Sequence, residues 1–331
     1  MRLVTSEMTD RGGFRLPASG FRPKPTGSGR GATIGAAAML AVLLAGCGNY
    51  GNAVLDDAPF YAALPKASDL AVNVPKSASQ PACALGESKI AGDTRNLGTG
   101  LTVGVLGILA VIDAIRNVTP TTRTEDSRSW GPFPDGQHQG LWVQVTMTRV
   151  TATPTYTFAV QQRKGLTGTF VTTLSADLTG AVAQKGSGKL HYDYAAAVSL
   201  GINKPDDPTV GHLDIAYDLV SDPKTISLRT VGTPTSTSVD IASYADGQAA
   251  LVLDFIDENG AEISSTSKFI GTGAGDAHYS FKSGPFGDAI HECWDALYCR
   301  TYMKDFGGHV GPCNGTTFCE LGSVALCPTV H

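Results

Sequence analysis

Histidine and aspartate stand two residues apart at two places in mid-chain, His191-Tyr-Asp193 and His212-Leu-Asp214. On an extended strand, residues i and i+2 share a face. Each carboxylate can then orient its imidazole, an arrangement used in general-base chemistry. If the two strands are neighbours, all four groups converge, and hydrolysis is the reaction class they suggest. No nucleophile stands beside them in sequence, so surface or packing roles are the stronger reading.

The remaining histidines are His138, His278, His291, His309 and His331, and none of the seven pairs with another at metal-ligand spacing on one element. Gly-x-Ser-x-Gly and His-Glu-x-x-His do not occur, and Gly186-Ser-Gly-Lys189 is too short for a phosphate loop. Gly271-Thr-Gly-Ala-Gly275 lies between strand-like runs, whereas phosphate binding needs a helix N-terminus; it reads as a glycine-rich turn. Asp254, Asp257, Glu258, Asn259 and Glu262 offer oxygen ligands of the kind calcium takes, but not at EF-hand spacing. They read as a solvated turn, as do Asp206, Asp207 and Asp214. Neither a catalytic motif nor a cofactor is expected.

Of the seven cysteines, Cys83, Cys293, Cys299, Cys313, Cys319 and Cys327 make an even set of six. In an exported chain such a set reads as three disulfides, with the pairing left open. If Asp288 to Met303 is helical, Cys293 and Cys299 stand about 9 Å apart along the axis. That exceeds the roughly 7 Å a bridge tolerates, so each should reach the segment beyond Gly307. The zinc alternative, His291, Cys293, Cys299 and His309, lacks a Cys-x2-Cys pair.

The seventh cysteine belongs to a different signal. Arg2, Arg11, Arg15, Arg22, Lys24 and Arg30 precede an apolar run, Ile34–Ala45, which is too short to span a membrane and ends in Leu44-Ala45-Gly46-Cys47. This ending resembles the lipobox of bacterial lipoproteins. The resemblance implies removal of residues 1–46, acylation of Cys47, and attachment to the cell envelope through lipid. Gly48 is not the aspartate of inner-membrane retention, so the outer membrane is favoured where the host has one. Each buried CH2 contributes about 0.8 kcal/mol, so two or three acyl chains anchor stably.

The chain has 331 residues, 42% of them hydrophobic, enough for a real core. Removing residues 1–46 leaves 19 of the 25 basic and 28 of the 30 acidic residues. A chain that acidic gives no reason to expect nucleic acid or electrostatic attachment to anionic lipid. The lipid on Cys47 must do the anchoring.

The elements that position these groups follow from periodicity. Residues 47–96, rich in Gly, Pro and Ser, read as a flexible tether. Residues 100–117 are apolar nearly all round and read as a buried helix, with Gly100 and Gly104 allowing a close approach to a sheet. From about residue 140 the period becomes two. Ten strand-like runs are expected: 141–148, 156–162, 168–174, 188–194, 211–219, 225–231, 236–243, 248–256, 262–271 and 277–282. Asn259-Gly260 reads as a type I′ hairpin turn. Spacings this short require antiparallel connections. The expected fold is mainly β: a curved antiparallel meander or partly closed barrel over residues 97–286, with the helix on its concave face and a two-sheet sandwich as the alternative. Residues 287–331 should form a helix around Ala289–Tyr302, with Trp294, Tyr298, Tyr302 and Phe306 on one face, plus a disulfide-tied loop on the same domain.

Trp130, Phe133 and Trp142 flank the first strand, as turn packing or as the mouth of a ligand site. The expected function is that of a non-enzymatic envelope lipoprotein. Its curved sheet would hold a hydrophobic small molecule or dock an envelope partner. A structural or surface lipoprotein without ligand, and an envelope hydrolase, are the alternatives.

Overall fold

The computed structural model describes residues 53–70, 82–136, 138–150, 155–182, 185–202, 211–232, 236–256, 259–283, 286–306 and 318–330. The lipobox, Cys47, Cys313, His309 and His331 lie outside them.

One antiparallel sheet of fifteen strands dominates, and every strand pairs with its neighbours in sequence. The strands are β1 Thr122–Arg123, β2 Ser127–Pro134, β3 Leu141–Arg149, β4 Thr155–Lys164, β5 Val171–Val182, β6 Lys185–Asp193, β7 His212–Asp218, β8 Lys224–Val231, β9 Ser236–Ser243, β10 Ala249–Ile256, β11 Glu262–Phe269, β12 Gly275–Ser283, β13 Phe286–Trp294, β14 Arg300–Asp305 and β15 Cys319–Gly322. All ten expected runs overlap strands, though the run 168–174 catches only the start of β5. The sheet is larger than the expected ten and is not closed into a barrel. Its edge strands, β1 and β15, have only two and four residues. Edges that short limit unwanted pairing with other chains.

Among the described residues, three α-helices accompany the sheet: α1 Ala53–Ala63, α2 Lys89–Ile115 and α3 Tyr194–Leu200. The expected buried helix is α2, which begins eleven residues earlier than its apolar run. Leu101, Val105, Leu109 and Ile112 form its buried stripe, all at most 3% exposed. Their spacing of three and four places them on one helix face. They pack with the inward side chains of β3 to β10, among them Met147, Phe158, Leu178, Ile215 and Val239. Strand alternation supplies the other half of the contact. In β7, Leu213, Ile215 and Tyr217 are buried while His212, Asp214 and Ala216 are not.

A 27-residue helix is about 40 Å long, equal to some eight strand spacings. It therefore bridges distant parts of the meander, and each end is fixed. At its N-terminus Ser88 caps Ala91 N, and the buried Glu292 carboxylate accepts from Ser88 Oγ at 2.9 Å and Ile90 N at 3.2 Å. Negative charge there is favoured by the helix dipole. Arg300, 4% exposed at its side chain, completes the pair with Glu292 and donates to Leu85 O at 2.9 Å. At the C-terminal end Arg116 donates to the carbonyls of Leu64 and Pro65, just beyond α1.

The stretch read as a tether is therefore structured in part. Helix α1 buries Phe60 and Ala63, and Leu64 and Leu70 beyond it join the same core. Asp57 on α1 is buried between Arg123 and Arg128, which both donate to it. Burial alone would raise this carboxyl's pKa, but the bonds from the two guanidinium groups outweigh it and hold the value below normal. Pro59 inside α1, together with the Gly and Pro around it, masked the helical signal in the sequence.

The C-terminal helix expected around Ala289–Tyr302 is instead the hairpin of β13 and β14. A spacing of four is also a multiple of two, so Trp294, Tyr298 and Tyr302 fit a strand repeat as well as a helical one. What breaks the helix is the turn between them. Asp295 Oδ1 accepts from Leu297 N and Cys299 N, both at 2.9 Å, and Tyr298 adopts φ 62°. The Asn259-Gly260 turn is also longer than a two-residue I′ turn. Ile256 pairs with Glu262, leaving five residues between, with Gly260 at φ 77°.

Candidate functional site

The outward face of β6 and β7 carries the histidine–aspartate groups. Register places His191 directly opposite Asp214, and His212 opposite Asp193. Asp214 holds both imidazoles: His191 Nδ1 lies 2.6 Å from its Oδ1, and His212 Nε2 lies 3.4 Å from its Oδ2. The two rings stand 4.9 Å apart between centroids. One ligand atom from each residue lies within 4.8 Å of the others. The side chains are between a third and a half exposed.

Three of the four residues singled out in the sequence thus converge. Asp193 does not join them. It is the N-cap of α3, and its Oδ1 accepts from Ala196 N at 2.8 Å. A carboxylate two residues after a histidine matches a strand face until the strand ends, and here it ends at Asp193.

The cluster borders an open groove of about 600 Å³ on the outward face of β3 to β7. Thr157, Ser175, Asp177 and Lys189 line it beside His191 and Asp214. Small outward residues such as Ala159 and Ala216 form its floor. Ser175 stands directly opposite His191 on the β5 side. This neighbour is not legible in the sequence, because the contact depends on strand order.

A second group of the same composition was missed because His291 lies fifteen residues from Asp276, on the next strand. On β12 and β13, His278 and His291 are directly opposite and stacked, with centroids 4.1 Å apart. Asp276 Oδ2 lies 2.6 Å from His291 Nε2. Burial first, and then the neighbouring His291, hold the His278 pKa below its usual value.

The cysteines resolve the pairing that the sequence left open. Cys83 bonds Cys299, with Cα atoms 5.1 Å apart, and Cys293 bonds Cys327, at 5.3 Å. Cys319 is also disulfide-bonded. Cys293 does reach beyond Gly307 as expected, whereas Cys299 turns back to Cys83. The reason is the hairpin: Cys299 follows the β13–β14 turn, where it bridges Glu87 beside the start of α2. The zinc set of His291, Cys293, Cys299 and His309 is overturned, because its two sulfurs belong to different disulfides. Cys293 and Cys327 do lie near Asp276 and His291, but as one disulfide they offer no thiolate.

Trp130 is 1% exposed and donates from Nε1 to Val118 O at 2.8 Å. It is packed in the core rather than at a ligand mouth. Phe133 is 41% exposed and Trp142 half-buried; neither lines the groove. The Gly271–Gly275 stretch is the β11–β12 turn, as read. Asp254 accepts from Ser264 Oγ, and Glu262 pairs with Lys282; Asp257 and Glu258 lie outside the described residues.

Among the described residues, no helix is long and apolar enough to cross a membrane. Comparison of the chain with protein-family models, curated proteins and solved structures finds no match.

Proposed function

We propose that this chain is a non-catalytic lipoprotein of the bacterial envelope. Lipid on Cys47 holds it to the membrane, and the outward face of its sheet docks another envelope protein. The observation that supports docking over carriage is the filled inward face of the sheet. A carrier of an apolar molecule needs an open apolar concavity. Here that space holds the protein's own Leu101, Val105, Leu109 and Ile112, together with Phe60 and Leu64. The groove across β3 to β7 offers hydroxyl, carboxylate, ammonium and imidazole groups beside apolar ones such as Ala159 and Ala216. That mixture suits a polypeptide partner better than a lipid.

The hydrolase alternative draws on the row Ser175, His191, Asp214, which stand opposite one another on three successive strands. Its weakness is that the described residues beside this row offer no oxyanion site. The backbone N–H groups of these central strands are committed to ladders on both sides, and the cluster is too exposed to strengthen a charge interaction by excluding water.

Native mass spectrometry of the chain from Gly48 onward, exported behind an ordinary secretory signal, tests the choice. Docking predicts the mass of the bare polypeptide. A retained apolar molecule of a few hundred daltons would overturn docking in favour of carriage.

A further inference from the structure

We infer that His191, His212 and Asp214 form a binding site for a divalent transition-metal ion of the zinc class. The inference needs only these three side chains and stands apart from the docking reading. Two imidazole nitrogens and one carboxylate oxygen are a borderline donor set. Such a set suits zinc, cobalt or nickel, while calcium and magnesium prefer oxygen alone.

The geometry fits. Zinc bonds of 2.0–2.1 Å in a tetrahedral site place ligand atoms about 3.3 Å apart. His212 Nε2 and Asp214 Oδ2 are already 3.4 Å apart. His191 Nδ1 meets the other carboxylate oxygen, Oδ1, at 2.6 Å, so a rotation of the carboxylate brings one oxygen to both nitrogens, and one ligand atom from each of the three residues already lies within 4.8 Å of the others.

The framework is rigid where it matters. His212 and Asp214 sit two apart on one strand, and His191 sits opposite on the next, both strands being central in the sheet. Sites built on such elements hold their geometry better than sites on loops. Three protein ligands leave a fourth position for water or another donor. The partial exposure of the three side chains, beside the groove, leaves that position accessible. Lys189 lines the groove nearby, and Arg229 stands opposite Asp214 on β8, with Asp240 at 4.0 Å. Among the described residues, neither cation bonds Asp214, and its carboxylate meets the two imidazoles.

The group on β12 and β13 is the internal control. Its composition is the same, but His278 Nε2 lies 3.6 Å from Asp276 Oδ1 while the rings stack face to face. Stacked rings direct their in-plane lone pairs along parallel lines rather than toward a common point.

The test titrates Co²⁺ into the full-length protein in detergent, following visible absorption, with Zn²⁺ as competitor. The expected result is one saturable equivalent with ligand-field bands, displaced by Zn²⁺. His191→Ala and His212→Ala should each weaken binding at least tenfold, and His278→Ala should leave it unchanged. Thermal melting monitors folding, and His212→Gln carries the same prediction should an alanine variant unfold. Absence of saturable binding overturns the inference. So does binding that survives both His191 and His212 substitutions or is lost with His278→Ala.

Discussion

His191 and Asp214 are 23 residues apart in sequence, yet they face each other across the β6–β7 ladder with Nδ1 2.6 Å from Oδ1. Both side chains are nearly half exposed. An exposed ion pair contributes about 0–1 kcal/mol. A double-mutant cycle with His191→Ala and Asp214→Ala, read by urea denaturation, should therefore give a coupling below about 1 kcal/mol. A larger coupling would mean that the pair holds the sheet together and is not free to serve a ligand.

Glu292 presents the opposite case. It is 1% exposed, pairs with a buried Arg300 and accepts from the first residues of α2. Removing one partner of a buried pair leaves an uncompensated charge, at about 3–5 kcal/mol. Glu292→Ala should lower stability by that amount, and Glu292→Gln by less, because the amide oxygen can still accept from Ser88. Urea midpoints of the two variants check this ordering.

The two assigned disulfides should differ in worth. Cys83–Cys299 closes a separation of 216 residues, and Cys293–Cys327 one of 34. Loop-closure entropy makes the longer link more stabilising by roughly 1.5 kcal/mol. Cys83→Ser/Cys299→Ser should therefore melt below Cys293→Ser/Cys327→Ser in calorimetry. The same loss would remove one link between the start of α2 and the β13–β14 turn, leaving the bonds of Ser88 and Ile90 to Glu292.

Acid should act through Asp57. Its pKa in the fold lies below the ordinary 3.8, because bonds from Arg123 and Arg128 outweigh burial. A depressed carboxyl contributes stability that is complete above its unfolded value and lost as pH falls through the folded one. At pH 7 Asp57→Asn should be less stable than the parent by about 3–5 kcal/mol, the cost of breaking a buried pair. That difference should narrow below about pH 4. Equilibrium unfolding at several pH values measures it.

Much of the central sheet was legible because β3, β4 and β7 to β9 alternate and are separated by turn residues. Strand β2 was hidden by Gly131, Pro132 and Pro134, which disrupt its register between Trp130 and Phe133. Strands β13 and β14 were hidden because aromatic spacing of four serves either period. Helix α1 looked like linker because its Ala, Asp and Pro content carries little apolar periodicity. Its burial comes from tertiary contact with the sheet. The His191–Asp214 contact was legible only as a condition, that two strands be adjacent. The loss of Asp193 to the cap of α3 could not be read without knowing where β6 ends.

The central claim, docking through the outward face of β3 to β7, is tested most directly by site-specific photocrosslinking in the intact envelope. A photoreactive residue at Ala216, on the groove floor, should give one discrete protein adduct. The same residue at Leu326, 63% exposed at the far end of the strand order, should not. No adduct from Ala216, or equal adducts from both positions, would contradict the account.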